Sequence, residues 1–389
     1  LKKDLKIKIA ILSIALYVAS NSVVSGTLVF MQRDFGISIT NAESLITLSS
    51  IATIITIFLS EKITQKIGMK KCVMIGLFLV GLSSILPIIS TSYPSVFISR
   101  LIMGAGVGLF NGHSANYINV FYKDEEAYRL HGIRNSTEFI SQMIFLFIAG
   151  LLIKIHWKYA FLVYFFAFFI MSYFNKIIPE VATKDAVDIG KFKINKQILF
   201  YAIFAALMIM NVTALSVRFP TVATNQKGIG VDANLYMIIL PMSGMIFGFL
   251  FGIINRILRE KTILLGLGIY IIVNIVLAIL GNDMYIFLLC MVFIAFSQSL
   301  CIPYLFAEVS RFVKGSHGRI ANNLIFIGCN VGGFIAPFFL KLVNNILETT
   351  SLTLAFTAFS FIYAIMFILN VYENKKNKIR KIEQNLCSF

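Results

Sequence analysis

Long apolar stretches alternate with short polar connections along the whole chain. Each stretch has about 20 residues, the length a helix needs to cross the hydrocarbon core of a bilayer. Twelve such spans are predicted, at roughly 7–31, 42–60, 72–91, 95–121, 132–153, 157–177, 198–217, 233–254, 262–281, 284–308, 320–342 and 350–372. Backbone polar groups cannot go unpaired in hydrocarbon, so these spans are expected as helices, and the period-two alternation of a membrane barrel is absent. The basic start, with Lys2, Lys3, Lys6 and Lys8, resembles the head of a signal peptide. The apolar run after it is too long for a cleaved segment and lacks a cleavage site, so it is expected to be a retained first span.

Lys and Arg alternate in density from one connection to the next. With the N-terminus inside, inner connections hold Lys62, Lys66, Lys70 and Lys71, then Lys123, Arg129 and Arg134, and so on to Lys375, Lys376, Lys378, Arg380 and Lys381. Outer connections hold only Arg33, Lys154, Lys158, Lys227 and Lys341. This bias places both termini on the cytoplasmic side of a cell (plasma or inner) membrane, and one missed span would scramble it.

Composition agrees: 58% of residues are hydrophobic and 13% charged, against about 25% charged in soluble domains. The net charge of +16 is spread over short runs between spans, not gathered on one soluble face, which argues against nucleic acid as a partner. Membrane lipid is the expected surroundings. Cys72, Cys290, Cys301, Cys329 and Cys387 show neither paired nor metal-binding spacing, so no disulfide, metal or cofactor is expected.

The longest polar connection, 179–197, divides six spans from six. The expected units are a six-helix bundle over 1–178, a cytoplasmic linker over 179–197, a second bundle over 198–372 and a cytoplasmic tail over 373–389. Two echoes support duplication. His131-Gly132-Ile133-Arg134-Asn135 precedes span five, and His317-Gly318-Arg319-Ile320-Ala321-Asn322 precedes span eleven. The basic connection after span two has a counterpart after span eight, Asn255-Arg256-Ile257-Leu258-Arg259-Glu260-Lys261.

The connection between spans two and three reads Glu61-Lys62-Ile63-Thr64-Gln65-Lys66-Ile67-Gly68-Met69-Lys70-Lys71. It is similar to the signature loop G-x-x-x-D-R-x-G-R-R of the major facilitator superfamily, with Lys66, Gly68, Lys70 and Lys71 matching. Gln65 stands where that loop has Asp, and Glu61 where it has its first Gly. Span four opens Arg100-Leu101-Ile102-Met103-Gly104-Ala105-Gly106-Val107-Gly108, which resembles the family's R-x-x-x-G-x-G motif. Gly104, Gly106 and Gly108 suit close helix packing. The resemblance runs over nearly the full chain. It implies an all-α membrane fold of twelve helices in two pseudo-symmetric bundles, secondary transport by alternating access, and an inner lock that Gln65 cannot charge. The Gly-Pro pattern that exporters of the family carry in span five is missing.

Charge inside the bilayer costs at least about 2.5–3.5 kcal/mol, so each buried ionisable residue is a functional candidate. Arg100 either pairs with a carboxylate, Asp34 or Glu43, in proton coupling or gating, or snorkels to the outer interface. Glu138 shares a helical face with Asn135 and Gln142. It either carries the coupling proton or pairs with Arg134 one turn away. Arg218 stands just before Pro220, either drawing an anion to the outer vestibule or capping the end of span seven. The resemblance has spans one, four, seven and ten lining the cavity, which makes Asn21, Ser25, Asn111, Asn211 and Gln298 candidates to touch a small-molecule substrate. Arg218, Asn330 and His113 join this set, His113 either as a proton relay or as a packing residue.

No P-loop is present, so energy is expected from a proton or solute gradient. An amide-, hydroxyl- and aromatic-rich lining suits a neutral or amphipathic organic solute, read as efflux of a drug-like or metabolite molecule. The alternative is a symporter that takes up a small nutrient or organic anion through Arg100 and Arg218. A membrane enzyme would show paired catalytic groups, and none is found. A membrane sensor would append an output domain beyond span twelve, where only the basic stretch 373–389 stands. A cysteine placed in 179–197 should react with an impermeant maleimide only from the cytoplasmic side; reaction from outside would overturn the orientation.

Overall fold

The computed structural model describes residues 2–18, 20–122, 124–180, 196–312 and 316–386. Among these residues the secondary structure is helical throughout. Span one is α1 (Lys2–Ile14), three short 3-10 turns and α2 (Leu28–Phe35). Spans two to five are single helices: α3 (Ile39–Ile67), α4 (Met69–Ile89), α5 (Tyr93–Phe121) and α6 (Asp124–Ile153). Span six is a 3-10 stretch, Trp157–Phe166, running into α7 (Ala167–Ile177). The second set is α8 (Lys196–Lys227), then α9 (Ala233–Met237) with α10 (Ile239–Leu258), α11 (Thr262–Leu280), α12 (Met284–Phe312), α13 (Ser316–Ile346) and α14 (Phe356–Leu386).

Among the described residues, ten helices are long and apolar enough to cross a bilayer. The bent pair Asp4–Tyr17 and Ser20–Phe35 makes an eleventh, and the shorter apolar stretch Phe356–Tyr372 stands where the twelfth is expected. Large apolar side chains such as Phe58, Phe249, Ile272 and Phe361 are exposed on the outside of the bundle. Water would not tolerate that much exposed apolar surface on a monomer, whereas hydrocarbon does. Two boundaries differ from expectation. Span seven continues through Pro220 to Lys227, and the basic stretch after 372 prolongs α14 as helix to Leu386. The linker expected at 179–197 falls for the most part, at 181–195, outside the described residues. The described cysteines Cys72, Cys290, Cys301 and Cys329 are in no disulfide, and Cys387 lies outside the described residues.

Glycine sets how closely the helices of the first half approach. Gly76 of α4 and Gly106 of α5 face one another so closely that a Cβ on either would lie 2.5–2.6 Å from the other's carbonyl oxygen. A Cβ on Gly104 would collide with Ser49 O of α3, and one on Gly108 with Thr56 Oγ1. The Thr53 hydroxyl uses this proximity to donate to Gly104 O at 2.9 Å. In the second half, Gly328 and Gly332 of α13 sit against the α8 backbone at Ala202 and Ala206. Small residues at helix seams supply the van der Waals contact that the hydrophobic effect cannot supply in lipid.

The two halves meet where α13 packs on α3, α6 on α9 and α10, and α2 on α8. The end of the bundle at which α1 starts is here the terminal end; the opposite one is the far end. Gly104→Ala should cost about 1–3 kcal/mol through overpacking. It should lower the melting temperature in detergent by several degrees. Gly112→Ala, with nothing within 4 Å, should leave it unchanged. Equal melting of the two variants would refute the packing account.

Candidate functional site

Span one breaks where its sequence is richest in small polar residues. Ser20, Ser22, Ser25 and Thr27 compete with the helix for its own carbonyls. The Ser20 hydroxyl donates to Tyr17 O and that of Thr27 to Val24 O, both at 2.7 Å. The helix gives way to 3-10 turns at Ala15–Tyr17, Ser20–Ser22 and Ser25–Thr27, and bends by 48°. A carbonyl freed by the break, that of Asn21, needs a donor, and Arg100 supplies it while also bonding to α3. Its Nη2 donates to Asn21 O at 2.7 Å, to Ile46 O at 2.6 Å and to Ser49 Oγ at 3.0 Å. Its Nε reaches Leu45 O at 3.3 Å and its Nη1 the Tyr164 hydroxyl at 3.1 Å, and Tyr164 in turn donates to Ser20 O.

Arg100 is wholly buried, and neither Asp34 nor Glu43 is its partner. The pairing expected from sequence is replaced because a guanidinium with five N–H donors can serve several backbone acceptors at once. Asp34 accepts from the indole of Trp157 at 2.6 Å, at the far end of the first half. Glu43 instead faces Arg218 across the boundary between the halves, with Nε 3.1 Å from Oε1. Both side chains are buried, at 0% and 2% exposure. The contact is an ion pair, and neither carboxylate oxygen accepts a hydrogen bond from the protein. Arg218 is therefore no helix-end cap, since α8 runs on well beyond it.

A line of polar groups on α6 leads from the terminal end towards this centre. Arg134 Nη2 lies 2.8 Å from Glu138 Oε1, and Arg134 Nε donates to Ser114 Oγ at 2.7 Å. One turn on, Gln142 donates to Ser22 Oγ at 3.0 Å, inside the break. The side chain of Asn135 lies outside the described residues. His113 Nε2 is 2.8 Å from Thr64 Oγ1, and its Nδ1 is buried without a partner. Asn21 reaches Ser50 Oγ at 3.5 Å while its Oδ1 stays unpartnered, as does the buried Ser25 hydroxyl. Asn111 is buried on α5.

Other candidates stand apart from this centre. Asn211 is paired with Asn274 of α11 at 2.7 Å, a buried amide contact inside the second half. Asn330 donates to Phe326 O of its own helix, and Gln298 is half-buried on α12. The signature connection is a corner rather than a loop. Gly68, at φ +88°, alone joins α3 to α4. Gln65, Lys66 and Lys71 are exposed, and Lys70 donates to Asn175 O near the end of α7 at 2.8 Å.

Two further residues emerge only in three dimensions. Tyr164 completes the Arg100 cage. Asn234, at the start of span eight, accepts from Gly26 N and donates to Val23 O, both at 2.7 Å, and so ties the second half to the break. An asparagine in an apolar span was the available signal; its partner, more than half the chain away, was not readable. Beside it, Lys154 and Asp232 pair at 3.0 Å between the halves. Glu43–Arg218, Asn234 and Lys154–Asp232 together link the two halves towards the far end.

Known proteins agree with this architecture. The family model described as Major Facilitator Superfamily matches residues 10–337. An uncharacterized MFS-type transporter of Bacillus subtilis (strain 168), YfiU, is 30% identical over 109 residues, a stretch covering 28% of this chain and 21% of YfiU. Among solved structures, the D-xylose-proton symporter superposes with a TM-score of 0.72 at 16% identity, covering 93% of this chain and 97% of that one. The nucleoside transporter NupG gives 0.73 at 13% identity, with 95% and 99% covered. The inward-open xylose transporter XylE from E. coli gives 0.72 at 17%, with 93% and 94% covered. At these identities the likeness establishes the fold, and the proteins compared are transporters rather than enzymes. A twelve-span helical fold, a broken first span clasped by the arginine of span four, and a family model over residues 10–337 lead to one assignment: the chain belongs to the major facilitator superfamily of membrane transporters.

Proposed function

We propose that the protein is a proton-coupled secondary transporter of a small, neutral organic solute, in which bundles 1–178 and 198–372 rock about the break in span one. The Lys and Arg bias supports cytoplasmic termini and a cytoplasmic linker and tail, in a plasma or inner membrane. The far end then faces outside, and the state described here is closed to the outside. The observation that carries the proposal is the Glu43–Arg218 pair. It joins the halves, is buried, and neither oxygen of its carboxylate accepts a hydrogen bond from the protein.

Opening the far end must separate this pair. Stripping one partner from a buried pair costs about 3–5 kcal/mol, because the other charge is left uncompensated. A proton on Glu43 removes the attraction and leaves a neutral acid, so protonation from outside releases the gate. Glu138, paired with Arg134 on its own helix, is the second carboxylate along the route to the terminal end. The solute contacts we assign are Asn21, Ser25 and their neighbours Ser50 and Gln142. The unpartnered Asn21 Oδ1 and Ser25 hydroxyl, beside the Ser50 hydroxyl and the Gln142 amide, are suited to hydrogen-bonding an uncharged molecule.

Export is the direction we assign, on the sequence grounds given above. Import of a polar nutrient is the second reading. It is favoured by the amides and hydroxyls of Asn21, Ser22, Ser25 and Gln142 that gather at the break. Arg100 spends its donors on the protein, so an anionic solute would have Arg218 alone.

A thermal-stability screen of the purified protein should find solutes that raise its melting temperature by mass action. In proteoliposomes, uphill flux of such a solute should collapse with an uncoupler. It should fall by about tenfold or more in Glu43→Gln, in keeping with the worth of a buried pair, while solute exchange without a gradient persists. Uphill flux untouched by both would overturn proton coupling at this pair.

A further inference from the structure

Among the backbone groups that the break in span one leaves without their helical partners are a donor, Gly26 N, and an acceptor, Val23 O. In a regular helix Val23 O would accept from Thr27 N, and Gly26 N would donate to Ser22 O. Here Thr27 N turns instead to Val24 O at 3.0 Å, a 3-10 bond, as Val23 N does to Ser20 O at 3.2 Å. Val23 O and Gly26 N are thereby released, and both are taken by Asn234. Its carboxamide stands in for a peptide group, with Oδ1 as acceptor and Nδ2 as donor. It is 1% exposed and comes from the other half of the molecule. Glycine at 26 makes room for it: a Cβ there would overlap the Asn234 carboxamide.

We infer that Asn234 is a latch that holds span one broken while the far end is closed, and that the span closes into regular helix when the halves part there. The inference rests on the alternating-access reading and adds a moving part inside the first half. When the second half withdraws, Asn234 leaves with it. The nearest replacement partners for Val23 O and Gly26 N are the helical ones, Thr27 N and Ser22 O. Taking them converts 3-10 turns to α-helix, which turns the chain by about 20° less per residue, from three to 3.6 residues per turn. Asn21 and Ser22 lie on one side of that conversion and α2 on the other. Asn21 O is held by Arg100 and Ser22 Oγ by Gln142, so the change reaches the proposed solute contacts. Asn234 is thus a positioning residue: it acts on the solute site through the shape of span one.

The test uses the full chain in proteoliposomes, its five cysteines replaced by serine, with spin labels on pairs of exposed far-end sites. A label pair at Ile155 and Ile229 spans the two halves. A pair at Arg33 and Ile89 lies wholly within the first half, so rocking of rigid halves leaves it unchanged. Straightening a 48° bend swings α2, a lever of eight residues and about 12 Å, and shifts that second distance by several Å. Asn234→Leu removes the latch, and Gly26→Ala blocks its seat without touching it, which keeps the test open should one variant fail to fold.

Both variants should shift the Ile155–Ile229 distribution about tenfold towards long distances, with the Arg33–Ile89 distance changing in the same population. Opening with Arg33–Ile89 unchanged would overturn the coupling. An unshifted Ile155–Ile229 distribution in both, beside opening in Glu43→Gln, would overturn the latch alone. No opening in any of the three would take the alternating-access reading down with it.

Discussion

Hydrocarbon leaves no water to satisfy a peptide group, and most of this fold follows from that. Eleven of the spans meet the constraint largely by remaining helical. The first does not, and its break between Tyr17 and Leu28 is where the molecule's least common interactions gather. Arg100, Tyr164 and Asn234 reach it from three different elements, and each serves main-chain groups that a continuous helix would have served itself. Irregular backbone at membrane depth persists only where protein or a cavity takes up its polar groups. The break is therefore both the weakest stretch of secondary structure and the most heavily supported.

The supports divide by strength. Arg100 is bound to its own half through carbonyls and hydroxyls and through no carboxylate, which makes it a fixed strut. Glu43 and Arg218 meet across the halves with one ionic contact and nothing else, a poorly compensated pair whose desolvation is the larger part of its energetics. Fixed struts inside each half and weakly compensated links between the halves are what a two-body machine requires. The glycine seams of α3, α4 and α5 belong to the first kind. They bring backbones so close that little independent movement remains among those helices.

Much of this was legible in the chain. Apolar runs gave the spans, because their length is set by the bilayer and not by any partner. Gly104, Gly106 and Gly108 announced a close seam, since little but contact explains three alternate glycines in a helix. Partners were not legible. Arg100 in an apolar span suggests a carboxylate by charge alone, whereas it spends its donors on Asn21 O in the break, on Leu45 O and Ile46 O of α3 and on two hydroxyls. Pro220 read as the end of span seven, although membrane helices tolerate proline where neighbours satisfy the freed groups, and that shortened helix disguised Arg218 as a cap. Asn211 read as cavity-lining from its place in span seven, whereas Asn274 meets it inside the second half. Asn234 carried no charge and no motif, and its role depends on two peptide groups in the other half.

Trp157 is the chain's single tryptophan. Its indole donates to Asp34 at the tip of α2 and meets Phe35 edge-on, with ring centroids 5.6 Å apart. Ultraviolet emission excited at the red edge of protein absorbance thus arises from one corner of the molecule, with no label attached. A carboxylate beside the indole N–H tunes both the colour and the yield of that light. The protein carries a native optical gauge of where the tip of its first span lies.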